Sequence, residues 1–265
     1  MEASTNNPAA TVPATLQGTI AVAGATGRAG RHVVDLLESQ GRDVVAMSRS
    51  TGVDLVTGDG LDEALAGVES VIDVATTSSP DGQEATEYFT AATRNLQQAA
   101  ERAGVRRIVV VSIIGIDRFT TGYQAAKVAH EQAMLAGPVP VHILRAAQFH
   151  EFVGELVGWG TQGDVSYVPK MRTQLVAARV VAEALVELAI KPEPAQISEI
   201  AGPREESLAH AATLLMARRG DSLRIEEASN PDDPDRELLA NGALLPGPDA
   251  TLAGPTFEEW LDSAS

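Results

Sequence analysis

Residues 19–30 read TIAVAGATGRAG, and this stretch decides the fold. An apolar run is followed directly by a loop with three glycines, Gly24, Gly27 and Gly30, and then by a segment with helical periodicity. In such a loop the first glycine permits a tight turn, the second lets the backbone approach a diphosphate, and the third allows the helix to pack closely on the strand. A glycine triplet also fits a tight turn that binds nothing. Its place in a βαβ unit at the start of the chain favours dinucleotide binding. The loop residues expected to contact the cofactor are Gly24, Thr26, Gly27, Arg28, Ala29 and Gly30.

Apolar runs and helical stretches alternate through the following hundred or so residues. The predicted strands lie near residues 19–24, 43–48, 53–59, 70–77, 106–113 and 139–146, and the predicted helices near 29–39, 61–65, 84–103 and 123–135. Apolar strands separated by helices imply a parallel sheet that is covered on both faces. The expected fold class is α/β, with a Rossmann-like doubly wound parallel sheet over residues 18–150. A smaller, irregular C-terminal region over residues 151–265 is expected to cap the substrate, and residues 1–17 are expected to form a mobile leader.

The composition excludes several functional classes. The chain has 265 residues, of which 44% are apolar, enough for a sizeable core. Its 36 acidic and 20 basic residues give a net charge of −16, which argues against a nucleic-acid partner because phosphate backbones require clustered Lys and Arg. There is no cysteine, so disulfides, thiolate metal sites and a cysteine nucleophile are excluded.

The same features bear on location and partners. No apolar run approaches the ~18 residues of a membrane helix, so no membrane partner is expected. The absence of cysteine fits a reducing compartment, and we expect a cytoplasmic protein that binds a small-molecule substrate. No second histidine follows His150 at helical spacing, so no metal site is expected there. An alanine-lined helix around Ala125 to Ala133 would pack on its own sheet or on a second subunit, which leaves a monomer or a homodimer open.

The end of the second predicted strand bears on the choice of cofactor. An acidic residue there accepts hydrogen bonds from the ribose of NAD, whereas this chain has Ser48-Arg49-Ser50. Arg49 would pair with a 2′-phosphate, and Arg28 in the glycine loop would flank the same phosphate. NADP(H) is therefore expected in preference to NAD(H). Asp59, at the end of the predicted third strand, is a candidate for the adenine edge or a plain turn aspartate.

Three polar residues indicate chemistry on an oxygen atom. Tyr123 and Lys127 are four residues apart on a predicted helix and share a face, so the ammonium would favour the phenolate and lower the tyrosine pKa. Such a phenol acts as an acid or a base on a carbonyl or an alcohol. Ser112 ends the fifth predicted strand and would donate a hydrogen bond to the same oxygen. Because a YxxxK pattern also arises by chance, Tyr123 as a plain surface residue stays open.

The motifs GATGRAG, VVVSIIGID, YQAAK and ILRAAQFHEF together resemble the atypical short-chain dehydrogenase/reductase superfamily in its NmrA-like, NAD(P)-binding branch. The resemblance implies that Tyr123 is the acid/base, that Lys127 holds the nicotinamide ribose and that Ser112 completes the triad. It also implies that Ala75 to Ser78 lines the ribose and phosphates and that Ala146 to Phe149 lies beside the nicotinamide. The cofactor contacts implied in these two segments are Ala75, Thr76, Thr77, Ala147, Gln148 and Phe149.

Two positions depart from the pattern of the branch. Ile113 and Ile114 follow the strand serine where many relatives have a second serine, and Arg145-Ala146 stands where many have Arg-Pro. Some members of the branch bind the cofactor without turning it over and act as redox-sensing regulators. Those members generally lack the tyrosine, so Tyr123 favours an enzyme.

The resulting functional hypothesis is an NADPH-dependent oxidoreductase that transfers hydride to a carbonyl or conjugated substrate. The alternatives are a regulator that binds NADP(H), and an isomerase or dehydratase that retains its cofactor. Gln148, His150 and Phe152 are the expected substrate contacts, with Glu151 beside them at the mouth of the site. Phe149 and Phe152 would form an apolar wall. For Trp159 and Tyr167, burial in the C-terminal core is the preferred interpretation.

Overall fold

The computed structural model describes residues 16–77, 79, 81–229 and 233–263. Within these residues, seven parallel strands form the central sheet in the order β12-β9-β5-β4-β3-β1-β2. The strands are β1 (Thr19–Ala23), β2 (Val44–Met47), β3 (Val68–Asp73), β4 (Arg107–Ile113), β5 (Val141–Ala146), β9 (Ile197–Ala201) and β12 (Thr251–Leu252). The strand order reverses beside β1, which opens a crevice at the carboxyl edge of the sheet between β1 and β3.

Helices cover both faces of the sheet. They are α1 (Arg28–Ser39), α2 (Leu61–Ala64), α3 (Gly82–Ala103), α4 (Gly122–Leu135) and, further along the chain, α6 (Ala178–Ile190). Successive side chains of a strand point to opposite faces. Ile20 and Val22 of β1 therefore pack with α1 and α6, whereas Ala21 and Ala23 pack with α2, α3 and α4. The predicted doubly wound α/β fold is confirmed.

Local chemistry places the ends of the long helices. Asp81 caps α3, since its side chain accepts hydrogen bonds from the backbone N–H groups of Gln83 and Glu84 at 2.9 Å. Gly104 ends the same helix with a φ of +73°, a conformation that glycine adopts at no steric cost. The helix predicted near residues 84–103 agrees with α3 to within two positions.

The strand predicted over residues 53–59 is absent, and this expectation was wrong. The carboxylate of Asp54 accepts hydrogen bonds from the N–H groups of Val56 and Thr57 at 2.7 and 3.2 Å, which folds the segment into a turn. Short acidic side chains compete in this way with strand pairing. Asn95 of α3 then binds the carbonyl oxygens of Leu55 and Val56. Asp59 consequently lies in a turn, where its carboxylate accepts a hydrogen bond from the Thr57 hydroxyl.

The C-terminal half contributes to the central sheet and also forms a layer of its own. β9, β12 and α6 belong to the Rossmann core, so this core draws on both sides of residue 150. The remaining elements are α5 (Val153–Gly160), β6 (Thr161–Gln162), β7 (Val165–Pro169), β8 (Arg172–Thr173), β10 (Glu206–Ser207), α7 (Leu208–Arg219), β11 (Arg224–Ala228), α8 (Arg236–Ala240) and α9 (Phe257–Ser263). A sheet in the order β11-β7-β6 and a second apolar cluster make this half more regular than the sequence indicated.

The leader predicted over residues 1–17 lies outside the described residues except at its last two positions. Leu16 is buried, and its N–H donates to the carbonyl oxygen of Ile190 at 3.1 Å. Arg42 donates to the Leu16 carbonyl oxygen at 3.0 Å, so the chain is already attached to the core at this point. In the described ranges no helix is long and apolar enough to cross a membrane.

Candidate functional site

The glycine loop lies between β1 and α1 at the carboxyl edge of the sheet. Gly24 has a φ of +77°, and a Cβ placed there would lie 2.8 Å from the backbone of Ala75. A Cβ at Gly30 would overlap the carbonyl oxygen of Gly24. Gly27 donates its N–H to that same oxygen at 2.9 Å. The loop therefore folds onto itself and onto the residue that follows β3 by two positions, and glycine is required at both ends.

The first turn of α1 is suited to bind an anion. Gly27 is the N-cap residue and no side chain caps the helix, whose first turn holds no acidic residue. Within the described part of the chain, no backbone acceptor meets the N–H groups of Ala29 and Gly30. Free N–H groups and the positive end of the helix dipole favour a phosphate. This cradle, which a Cβ at Gly24 or Gly30 would disrupt, fits the diphosphate of a dinucleotide.

The two arginines of the expected cofactor site have different surroundings. Arg28 forms an ion pair with Glu155 of α5, and its guanidinium lies 6.0 Å from the centroid of the Phe152 ring. Arg49 opens a short 3-10 turn directly after β2, and that turn contains no acidic residue. Arg49 is thus open to a ligand, whereas a phosphate at Arg28 would compete with the carboxylate of Glu155.

The segment after β3 joins the glycine loop to the candidate acid. Ala75 packs against Gly24, and the hydroxyl of the next residue, Thr76, lies 2.7 Å from the Tyr123 hydroxyl. Thr77 follows, half-buried, and the predicted contact at Ser78 lies outside the described residues. Burial raises the pKa of Tyr123, and the hydrogen bond to Thr76 offsets part of that rise. The phenol is therefore protonated at neutral pH and lies beside the segment that packs on the glycine loop.

Lys127 is buried between α4 and the sheet. Its Nζ lies 3.0 Å from the carbonyl oxygen of Val111 and 2.9 Å from Nδ1 of His130. The ammonium also lies 4.6 Å from the centroid of the Phe89 ring. Burial lowers the pKa of Lys127 to about 8, although the carboxylate of Asp73 opposes this shift.

The surroundings of Lys127 correct one expectation from the sequence. The ammonium was expected to lower the pKa of Tyr123, but its hydrogen bonds go to His130 and Val111. His130 is three residues from Lys127 on the same helix face, which places its ring beside the amine. Desolvation then dominates at Tyr123, and its pKa rises instead of falling. Asp73 lies beside His130. Burial raises the pKa of Asp73 to about 6.

Ser112 occupies the penultimate position of β4 and is buried. It lies on the same side of the strand as Val110, which packs with α3 and α4, so its side chain faces that layer. Its hydroxyl has no hydrogen-bond partner among the described residues. The structure thus brings Ser112 and Lys127 to one side of the sheet without a hydrogen bond between either of them and Tyr123. Their convergence on one substrate oxygen stays a prediction.

Gln148 and Phe149 follow β5 and are held by residues 173–176. The Thr173 hydroxyl donates to Oε1 of Gln148 at 2.6 Å, and the N–H of Val176 donates to the Gln148 carbonyl oxygen at 3.0 Å. Phe149 forms an isolated parallel bridge with Val176. Ala147 is buried, and its N–H donates to β9 at the Ile200 carbonyl oxygen. These bonds hold residues 147–149 in place at the edge of the crevice. The predicted contact with the nicotinamide requires such a fixed segment.

His150 lies away from the mouth of the site, contrary to the expectation from the sequence. The residue is 1% exposed, and its ring centroid lies 5.3 Å from those of Phe257 and Trp260. Burial lowers its pKa to about 4, so the ring is neutral. Helix α9 covers it, and no local pattern around residue 150 predicts a helix that begins about a hundred residues later. Its neighbour Glu151 accepts a hydrogen bond from the N–H of Ala178 at 3.1 Å.

Trp159 and Tyr167 were expected in the C-terminal core, and this was wrong. They are 60% and 39% exposed. Trp159 lies on α5, a short surface helix, and its ring meets the edge of Phe152 at 5.4 Å. Phe152 in turn lies beneath the guanidinium of Arg28. These contacts leave Phe152 near the glycine loop, where a wall of the substrate pocket was predicted.

Sequence reasoning missed several residues of this region. His130 and its spacing from Lys127 were visible in the sequence, since i and i+3 share a helix face. Asp73 ends β3 and is buried. Glu155 and Asp235 act over long sequence separations, on Arg28 and on Thr120 respectively. No local pattern identifies contacts of that kind. In the described ranges, no three His, Asp or Glu side chains cluster so that they could hold a metal ion.

Comparison with known proteins now adds to this geometry. A family model described as NAD(P)H-binding matches residues 24–192, which is more than half of the chain. No curated protein matches this chain. Solved structures with a similar fold include MoeE5 in complex with UDP-glucose and NAD, with a TM-score of 0.67 and 21% identity over 93% of this chain and 99% of that chain. A dTDP-4-dehydrorhamnose reductase from Clostridium acetobutylicum has a TM-score of 0.69 and 16% identity over 93% and 99% of the two chains.

A third similar structure is a short-chain dehydrogenase/reductase superfamily protein from Agrobacterium tumefaciens with bound NAD. It has a TM-score of 0.63 and 21% identity over 93% of this chain and 95% of that chain. At such identities the likeness is one of fold, and the family match carries the classification. The glycine cradle, the doubly wound sheet and the matched residues agree: the chain belongs to the NAD(P)H-binding family.

Proposed function

We propose that this protein is an NADPH-dependent oxidoreductase that reduces a carbonyl or conjugated small-molecule substrate, with Tyr123 as the proton donor. The observation that carries the proposal is the hydrogen bond between the Tyr123 hydroxyl and Thr76 at 2.7 Å. Thr76 adjoins Ala75, on which Gly24 packs, so the phenol lies at the edge of the glycine cradle. Such a reductase needs at least a hydroxyl that can donate a proton beside a dinucleotide site.

The residues divide the work as follows. The N–H groups of the glycine loop and the first turn of α1 would bind the diphosphate, and residues 147–149 would border the nicotinamide. When bound, the cofactor supplies the hydride. Tyr123 would donate its proton to the substrate oxygen as negative charge develops there, and its raised pKa keeps that proton in place beforehand. Ser112 would donate a hydrogen bond to the same oxygen, which its unpartnered hydroxyl leaves it free to do.

Lys127 would keep the ribose contact that the resemblance implies, but in the structure its amine already has other partners. Its buried ammonium is hydrogen-bonded to the Val111 carbonyl oxygen and to Nδ1 of His130. A cofactor ribose that approaches β4 would recruit this amine by displacing one of those partners. Asp73 and Glu131 keep the amine partly charged despite its burial, and a charged amine is the form that binds ribose hydroxyls best.

The preference for NADPH rests on Arg49. The turn after β2 holds a guanidinium and no acidic residue, which suits a 2′-phosphate and offers no carboxylate to the ribose hydroxyls of NAD. We therefore propose NADP(H) as the cofactor, with a small-molecule substrate that enters between the carboxyl edge of the sheet and the C-terminal half.

Substitution of Tyr123 tests the proposal. NADPH oxidation is followed by the absorbance of the reduced nicotinamide with a panel of ketones, quinones and enones. Tyr123→Phe should lower turnover by about 10² to 10⁴, because it removes the donated proton and little else. NADPH affinity, measured by calorimetry, should stay within about twofold. Tyr167→Phe, on β7, is the matched control and should retain full turnover.

Three other outcomes would point elsewhere. Equal turnover in Tyr123→Phe and the parent would remove the phenol from the chemistry. NADPH binding without turnover of any panel member would instead favour a cofactor-binding regulator. A nicotinamide that stays bound through purification, with no net change in its redox state during turnover, would favour an isomerase or dehydratase.

A further inference from the structure

The position of Tyr123 depends on where helix α4 begins. Tyr123 is the second residue of that helix, directly after its N-cap Thr121 and Gly122. The Thr121 hydroxyl makes no capping bond to its own helix. It donates instead to the carboxylate of Asp235 at 2.9 Å, and the Thr121 N–H donates to the same oxygen at 2.9 Å. A carboxylate from far along the chain thus occupies the start of the helix that carries the candidate acid.

Among the described residues, four donors bond to the carboxylate of Asp235. Besides the two from Thr121, the N–H of Thr120 donates at 2.8 Å and the Thr120 hydroxyl at 3.2 Å. The residue is only 7% exposed. Burial raises its pKa, but the donated hydrogen bonds outweigh this and leave the pKa below the ordinary aspartate value. The group is therefore an ionised acceptor at neutral pH, which makes each bond charge-assisted.

The same C-terminal segment also meets the other end of the loop between β4 and α4. The carbonyl oxygen of Ala243 lies where a Cβ of Gly115 would be, and Leu244 is buried in the same apolar cluster as Ile116 and Phe119. Residues 235–244 therefore contact the loop near both of its ends. This loop joins Ser112 to Tyr123, the two groups expected at the substrate oxygen.

Arg145 on β5 connects the loop between β4 and α4 to the sheet. Both terminal nitrogens of Arg145, on β5, donate to the carboxylate of Asp117 at 2.7 and 2.8 Å. Arg145 also binds Glu131 of α4 at 2.6 Å, so the sheet, the loop and the helix are joined through one guanidinium. Arg145 thus holds the middle of the loop, whereas Asp235 holds Thr120 and Thr121, the residues that lead into α4.

From these contacts we infer that Asp235 is a positioning residue for Tyr123, which sets the place of the phenol by holding Thr120 and Thr121. The inference extends the proposed function, since it assigns to the C-terminal half a direct part in arranging the proton donor. Asp235 touches no substrate or cofactor in this scheme and acts only through the start of α4.

Fluorine NMR tests the inference without any substrate. The chain has three tyrosines, so protein labelled with meta-fluorotyrosine gives one signal each for Tyr88, Tyr123 and Tyr167, and Tyr123→Phe identifies the signal of interest. Asp235→Asn retains the size of the side chain and loses the charge. It should shift or broaden the Tyr123 signal and change the pH at which that signal titrates, while the Tyr167 signal stays in place.

The matched control is Asp164→Asn, which removes a carboxylate of an exposed ion pair with Arg224. It should leave the Tyr123 signal unchanged. With a substrate from the panel, Asp235→Asn should lower kcat by about 10- to 100-fold while the KM for NADPH changes little, since misplacement of a reacting group has effects of that order. Asp235→Ala should have a larger effect in both measurements.

The outcomes separate the inference from the proposed function. An unchanged Tyr123 signal in a folded Asp235→Asn protein would overturn the inference, whatever the enzyme does. A displaced signal with unchanged kcat would also overturn it, because the phenol would then need no exact placement by Asp235. If the parent protein turns over no panel member, the proposed function fails, yet the NMR measurement still decides whether Asp235 holds the phenol in place.

Discussion

At the scale of single residues, the two arginines near the cofactor cradle illustrate how one neighbour changes a role. Arg28 is paired with Glu155, and its charge is already neutralised. Arg49 lies in a turn without an acidic residue and keeps its charge for a ligand. From their positions in the sequence the two arginines are equivalent, because both fall where a 2′-phosphate is expected. Their different surroundings make Arg49 the better test of cofactor choice.

Substitution of Arg49 should change cofactor selectivity. In the proposed complex, Arg49→Ala removes a charge-assisted pair with the 2′-phosphate, an interaction worth about 1.5 to 3 kcal/mol, so NADPH affinity should fall by roughly 10- to 100-fold. NADH has no such phosphate and should bind as before. Calorimetry at one fixed ionic strength gives both dissociation constants.

Arg102→Ala is the matched control for this measurement. Arg102 lies in the last turn of α3, at the amino edge of the sheet, and pairs with Asp62. The loss of Arg102 should leave both affinities unchanged. A ratio of NADPH to NADH affinity that is the same in Arg49→Ala and the parent would contradict the assignment.

At the scale of elements, the β1-loop-α1 unit depends on close backbone contact. Gly30→Ala would place a methyl group against the Gly24 carbonyl oxygen. Because backbone surrounds that position, the helix must shift, and overpacking of this kind costs about 1 to 3 kcal/mol. We expect a lower midpoint of thermal unfolding together with weakened NADPH binding, measured by circular dichroism and calorimetry.

Gly158→Ala provides the comparison for Gly30→Ala. Gly158 lies inside α5, and a Cβ there would meet nothing within 4 Å. This variant should melt no lower than the parent, since alanine favours a helix over glycine. Equal melting and equal NADPH binding in both variants would show that the loop tolerates a side chain at residue 30 and would refute the account of the cradle.

At the scale of the whole molecule, the Rossmann core is built from two distant parts of the chain. β9 pairs with β5, and α6 packs beside α1 over the face formed by Ile20 and Val22. A chain that ends at residue 150 loses both, and its apolar sheet face becomes exposed to water. Exposed apolar area of this kind carries about 25 cal/mol per Å², against a net stability of only about 5 to 15 kcal/mol.

Truncation tests this dependence. Residues 1–150 alone should show no cooperative thermal transition by circular dichroism and should not bind NADPH, whereas the full chain should do both. A cooperative melt of the fragment near the midpoint of the full chain would mean that the N-terminal half folds independently, as a division at residue 150 would require.

The sequence by itself determined the fold class, the glycine cradle and most long helices, because each depends on local periodicity and on glycine at a few positions. It misjudged residues 53–59, where the side chain of Asp54 competes with strand pairing for the backbone. Glycine conformation and helix spacing act within a few residues, so a single stretch such as GATGRAG carries the whole signal.

Only the tertiary structure decided how the candidate site is arranged. It buried His150 under α9, paired Arg28 with Glu155 and placed Asp235 at the start of α4. Each of these contacts joins residues that are far apart in the chain. Burial and charge pairing depend on what packs against a side chain, and that information is spread over the whole sequence and is expressed only once the chain has folded.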